Sequence, residues 1–306
     1  MERSVERTSG TAFAAGWKGR GVTEGRIINT GGHPLADGRP PKWASGWGQD
    51  RQGVFVEFTY REITQRLRWC PPGWFRMGSP KGETERFKNE GPLTEITIPE
   101  GFWLFDTTVT QALYEAVMGT NPSRFTEDGA NRPVEQVSWE EARSFLERLN
   151  GEISGLALSL PSEAQWEYAC RAGSSTSFEP TVASRHVGLD ITAEEVNYNG
   201  KFPLGEASEG TYRKATVPVK GAGFRPNAWG LWHMHGNVWE WCKDAFGKPR
   251  VESGTGGRYR VVRGGSWDGD AWNCRAAVRS GFAPDARRGS LGFRPAGGQV
   301  PSSRKP

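Results

Sequence analysis

The 306-residue chain is long enough for one large domain with a sizeable core. Its 36% apolar share rises to about 49% once the 41 glycines are counted, which is ordinary for a globular protein. A net charge of +4, with no stripe of lysine or arginine, argues against nucleic acid as a partner. No stretch approaches the roughly 18 apolar residues of a membrane span, and none near the N-terminus resembles a secretion signal. A cytoplasmic protein without membrane contact is the resulting expectation.

Twenty prolines and 14 tryptophans stand out. Proline and glycine disfavour regular interiors, so much irregular backbone is expected, with a few large aromatic rings filling the spaces between loops. Cys70, Cys170, Cys242 and Cys274 are far apart and form no CxxC pair, which reads as buried free thiols.

Residues 1–42 lack periodicity and read as a flexible arm or linker, residues 43–296 as the domain, and residues 297–306 as a tail. Val54, Val56 and Phe58 alternate with Phe55, Glu57 and Thr59, which predicts a strand. A second strand around residues 66–69 should end at the turn Pro71-Pro72-Gly73, and a third should cover residues 94–98. Thr110 can cap a helix running to Met118, with Gly119 as its stop. Ser138 and Glu141 form a capping box opening a helix that should end near Asn150-Gly151. Ser162 and Gln165 form a second box, for a helix stopping at Gly173. Beyond it the pattern shows only loops and short strands. Alternating strand–helix units are missing, so the class is α+β.

Several motifs then occur in a fixed order: FRMGSP (75–80), NEGP (89–92), NRPVEQVSWEEA (131–142), LSLPSEAQWEYACRAG (158–173), AWGLWHMHGNVWEWCKD (228–244), and YRVVRGGSW continuing to GFR (259–294). Together they resemble the formylglycine-generating enzyme, or sulfatase-modifying-factor, domain family over residues 43–296. The resemblance implies a C-type-lectin-like fold: a twisted antiparallel sheet, two or three short helices and extensive loops. It also implies one of three settings. These are an oxidase with a copper-binding cysteine pair, a non-haem iron sulfoxide synthase, and a variable protein of a diversity-generating retroelement.

Copper(I) prefers soft sulfur, so the oxidase needs two thiolates. Counted from Gly264, the first falls on Gly269 and the second on Cys274. Counted back from Arg294, Cys274 takes a different family position, and the pair is broken either way. Cys274 is left as the sole catalytic candidate, with Arg275 and Arg279 beside it to favour a thiolate; a packed thiol is the alternative. The iron enzymes use three histidines set largely by a further helical domain. Here His33, His186, His233 and His235 offer only one close pair. For calcium, the resemblance assigns Glu240 with the Gly236 and Val238 carbonyls, where His233 replaces the usual Asp or Asn. A second site would use Asn197 and the Tyr198 and Tyr212 carbonyls, with Gly210 in the acidic position and Glu209 next to it. Oxygen donors suit this hard cation. The alternative is that Glu240 and Asn197 simply tie loops together.

Within the last motif, scaffold residues alternate with positions that are often asparagine in relatives. Here these are Asp268, Gly269, Asp270, Val278, Ser280, Gly281, Phe282, Ala283, Ala286, Arg288, Gly289 and Ser290. Each can arise from an AAC codon altered at its adenines. Trp272 cannot, but joins the same stretch as an aromatic anchor beside Phe282, unless Phe282 packs inward. The expectation is a non-catalytic protein that binds a protein or other macromolecule through this varied loop face. The alternative is an oxidoreductase of the formylglycine-generating or sulfoxide synthase type acting on a thiol. A structural or regulatory module is the third reading.

Overall fold

The apolar residues Val54, Val56 and Phe58 are buried on one face of a strand, as a side-chain period of two requires. The computed structural model describes residues 25–27, 32–127, 129–183, 191–247 and 257–297. In chain order its strands begin with β1 (Gly25–Ile27), β2 (Gly46–Asp50), β3 (Gly53–Tyr60), β4 (Ile63–Cys70), β5 (Gly73–Met77), β6 (Thr94–Ile98) and β7 (Phe102–Phe105). The helices α1 (Gln111–Met118), α2 (Trp139–Glu152) and α3 (Glu163–Arg171) follow. The chain then forms β8 (Trp239–Ala245), β9 (Arg260–Arg263), β10 (Arg279–Phe282), β11 (Leu291–Phe293) and β12 (Ala296–Gly297).

Three sheets result. One pairs β1, β5 and β6, and a five-stranded sheet has the order β12-β7-β4-β3-β2. The third, in the order β10-β9-β8-β11, is antiparallel except for the parallel pair β8–β11. The class is α+β, as expected.

Each helix begins where its cap predicts. Thr110, Ser138 and Ser162 accept the N–H groups of Leu113, Glu141 and Gln165, and the last two caps are reciprocated by Glu141 and Gln165. The far ends differ from expectation. Helix α2 passes through Gly151, because the Asn150 amide bonds both Leu158 N–H and Leu158 C=O instead of closing the helix locally. Helix α3 stops one residue early, with Ala172 itself in the left-handed region at φ 44°. Strand β7 had no sequence signal because all four residues are buried, and a continuous apolar run carries no period.

The domain also starts earlier than residue 43. Gly25–Ile27 pair with β5, and Leu35 is buried in the core, so the reading of residues 1–42 as a free arm is corrected for that part. Residues 1–24 and 298–306 lie outside the described residues, as does His186.

The four-stranded sheet is packed on both faces. Trp241 and Val262 join one apolar core with α1, α2 and β3, while their neighbours Cys242 and Val261 join a second core with α3 and β5. A third, smaller cluster gathers Phe178, Ile191, Tyr198, Ala271 and Cys274.

Between residues 263 and 294 the backbone has few ladder bonds, and four buried arginines hold it instead. Arg263 pairs with Glu167, and Arg275 with Glu90 at 2.7 Å. Arg279 pairs with Glu163 at 2.6 Å, and Arg294 with Glu240 at 2.8 Å. Although burial alone would raise the Glu90 carboxyl, its bonds from Arg275 and Ser79 hold it below the ordinary range. Removing one partner strands a charge in the interior. Arg275→Ala should therefore cost about 3–5 kcal/mol in urea unfolding, whereas the double variant Arg275→Met with Glu90→Leu should recover most of that loss. Equal losses in the two variants would contradict this account.

Candidate ligand-binding site

Trp267 joins the two halves of the candidate loop face. Its N–H donates to Gly289 C=O at 2.9 Å, its ring meets Phe125 edge-on at 5.3 Å, and Tyr212 stacks on it at 6.1 Å. Asp268 is exposed beside it, held by the Ser266 hydroxyl at 2.5 Å. Partial burial, with the Asp268 charge adding to it, pushes the Tyr212 hydroxyl up. Phe202 is 50% exposed, and its carbonyl accepts the Ala271 N–H, so an aromatic ring from a separate loop borders the first half of the face. Neither Phe202 nor the stacking role of Tyr212 carried any local sequence signal. Both are brought in by the chain's tertiary path.

The predicted positions divide by environment. Asp268 and Arg288 are exposed, and Gly269, Asp270, Ala283 and Gly289 are half-buried. A side chain at Gly269 would meet nothing closer than 3.6 Å, and one at Gly289 would make ordinary contacts at 3.4 Å. Val278 and Ser290, by contrast, are buried, so their expected place on the face is corrected. Gly281 lies against Phe246, where an added Cβ would come within 2.4 Å of the ring. Phe282 packs inward, edge-on to Trp241 at 6.3 Å, with the Arg288 guanidinium over its ring at 4.6 Å. Ala286 rests against the same core, and Trp272 against the third cluster. Ser280 is half-buried, paired with Val262 on the edge strand β10.

Cys274 belongs to the interior. It is fully buried, and burial, with Asp270 nearby, pushes its thiol up and away from reactivity. Arg275 and Arg279, the expected activators, are turned to Glu90 and Glu163. Gly269 carries no sulfur, so these residues do not fit the copper site. His235 does not face a metal with His233. It donates through Nδ1 to Cys274 C=O at 2.7 Å and accepts the Glu179 N–H at Nε2, a neutral tautomer that fixes the loop. Among the described residues no group of three His, Cys, Asp or Glu side chains is arranged to hold a metal.

The calcium ligands fit no better. Both Glu240 oxygens are taken, by Arg294 and by the Trp166 N–H at 2.7 Å. Gly236 C=O accepts the Val238 N–H. At the other position Asn197 donates to Ala215 C=O and Asn237, and its Oδ1 is buried without a donor. Its neighbours would be the neutral Tyr198 and Tyr212 carbonyls. Glu209 is 4.0 Å from Lys201 at the surface. Glu240 links Arg294 to Trp166, and the Asn197 amide N–H groups link the segments at residues 215 and 237.

Beneath Gly289 lies a residue not foreseen as part of the site. Glu135 is fully buried, accepts the Phe125 N–H at 2.9 Å, and has no donor on its second oxygen. Burial pushes its carboxyl up to about 7.

Residues 56–297 match the Sulfatase-modifying factor enzyme 1-like domain. The chain belongs to this family. Over 182 residues it is 39% identical to the formylglycine-generating enzyme of Streptomyces coelicolor, covering 54% of this chain and 52% of the relative. It therefore spans about half the length of that relative. Treponema denticola variable protein 1 shares the fold at a TM-score of 0.63 and 24% identity, over 80% of this chain and 99% of the other. PvdO from Pseudomonas aeruginosa superposes at 0.62 with 25% identity, over 84% and 99%. The C-type-lectin-like variant of the α+β class is thereby established. Among the described residues no helix is long and apolar enough to cross a membrane.

Two outcomes follow for this site. Gly281→Ala should cost about 1–3 kcal/mol in denaturant unfolding because Phe246 must move, while Gly269→Ala should stay within about 0.5 kcal/mol. Matching losses at the two glycines would refute the division drawn here. For Glu135, the folded pKa of about 7 exceeds the unfolded 4.5, so folding takes up protons between these values and its contribution is lost as pH rises through 7. Glu135→Gln keeps the neutral form, so the variant should gain about 1–3 kcal/mol on wild type between pH 5 and pH 8. A stability difference that stays flat with pH would rule out the raised carboxyl.

Proposed function

We propose that this chain is a non-catalytic, ligand-binding member of its family that contacts a protein or other macromolecule through the loop face around Trp267. The sharpest form of the reading is a retroelement-diversified receptor. The observation that carries it is a division within one loop. The side chains of Asp268 and Arg288 are exposed, and Gly269 and Gly289 have room for one, whereas residues 274–279 between them are buried, with Arg275 and Arg279 held in ion pairs. A rigid backbone with replaceable side chains binds without reordering, which lowers the entropic cost of association. The exposed Phe202 supplies an apolar contact at the rim.

Against the oxidoreductase alternative stand the burial of Cys274, which pushes its thiol up, and the absence of a sulfur at Gly269, the first position of the pair counted from Gly264. Incubation with copper(I), dioxygen and a cysteine peptide should oxidise no more peptide than the same mixture without the protein.

The decisive test is the gene's 3′ end in many independent isolates. Codons 268, 269, 270, 283, 288 and 289 should vary while 278, 281 and 290 stay constant. A near-copy repeat and a reverse transcriptase should lie nearby. Uniform codons without such a repeat would sink the diversified reading.

A further inference from the structure

A cleft elsewhere on the molecule shares no lining residue with the loop face. It has a volume of about 530 Å³ and lies between α2, the 158–160 segment and the ends of β8 and β9. That volume falls in the range of small-molecule sites. Its floor is apolar, formed by Trp139, Leu146, Leu158 and Leu160.

The polar groups in this floor are already committed. The Trp139 N–H donates to Cys242 C=O at 2.9 Å, and both ends of the Asn150 amide bond the Leu158 backbone. An occupant's body must therefore be apolar, since a polar one would bury unpartnered groups. The rim is different. Arg143, Lys243 and Arg260 stand there with Glu147 and Asp244. Glu147 is paired with Arg143 at 3.0 Å on the solvent-exposed side, and one Asp244 oxygen accepts the Glu163 N–H at 2.6 Å. Arg260 is fixed over the Trp139 ring at 4.1 Å. The exposed Lys243 stands next to a cation held over an aromatic ring, and the rim carries three cations against two carboxylates.

We propose that this cleft is a second binding site, for a small molecule with an aromatic or branched apolar body and a single carboxylate or sulfonate head. The body occupies the leucine and tryptophan floor. The head meets Lys243 and Arg260 at the mouth, where a charge-assisted contact adds to apolar burial.

The test uses the full chain and the probe 8-anilinonaphthalene-1-sulfonate, followed by its fluorescence. Saturable one-to-one binding is expected, displaced by 1-naphthoate but not by the uncharged 1-naphthalenemethanol. Ser159 is exposed on the cleft wall, so Ser159→Trp can plug the mouth from outside the core. That variant should weaken the probe by about tenfold or more, and Lys243→Glu by about fivefold, with unchanged melting temperatures. Asp268→Ala, on the loop face, should leave the probe's affinity unchanged. Non-saturable binding, or affinity that ignores both cleft variants, would overturn the proposal. So would equal displacement by the uncharged alcohol. None of these outcomes bears on the loop-face reading, which rests on other residues.

Discussion

Four buried guanidinium groups organise the C-terminal third of this protein. Desolvating an arginine costs several kcal/mol unless charge and hydrogen bonds compensate. Here both terminal nitrogens of each guanidinium are bonded, and of the four Nε atoms those of Arg263 and Arg275 lack a hydrogen-bond partner. Beyond its glutamate, Arg263 reaches the Val278 and Ala276 carbonyls, and Arg275 the Glu85 carbonyl. Arg279 approaches the Gly247 carbonyl, and Arg294 those of Phe105 and Trp232. The carboxylates come from α3, from β8 and from the loop before β6. Irregular backbone, with few ladder bonds of its own, is thus tied at several points to regular elements.

This constraint accounts for the two-part texture of the 263–294 segment. Where an arginine or an apolar side chain turns inward, the residue is spent on the scaffold, as at Arg275, Val278 and Arg279. Where the backbone is held by its neighbours, the side chain bears little structural load, as at Asp268, Gly269 and Gly289. The same logic applies at Cys274. Its carbonyl is a structural acceptor for His235, and its thiol fills the third cluster behind Gly265.

Much of the framework was legible in the sequence because it is local. Caps at Thr110, Ser138 and Ser162 announce helices within four residues, and the alternation from Val54 announces β3. The ordered motifs implied the family and its fold. The inward turn of Phe282, the clash awaiting any side chain at Gly281, and the burial of Val278 were not legible. Each depends on a partner far along the chain: Trp241 and Phe246 in the first two cases, and the Arg263 fork in the third. Reading 1–42 as an arm failed for the same reason, since Leu35 finds its core only in three dimensions. Glu135 was hidden inside a motif that otherwise reads as a helix lead-in, and only the fold places it under Gly289.

The central claim is that the scaffold holds the loop face whatever side chains it carries. It is tested most directly by replacing Asp268, Gly269, Asp270, Arg288 and Gly289 with asparagine in a single chain and measuring its urea unfolding. The account predicts a cooperative transition that loses no more than about 2 kcal/mol against wild type. A chain that fails to fold, or unfolds without cooperativity, would show that these side chains hold the loop up and are not merely carried by it.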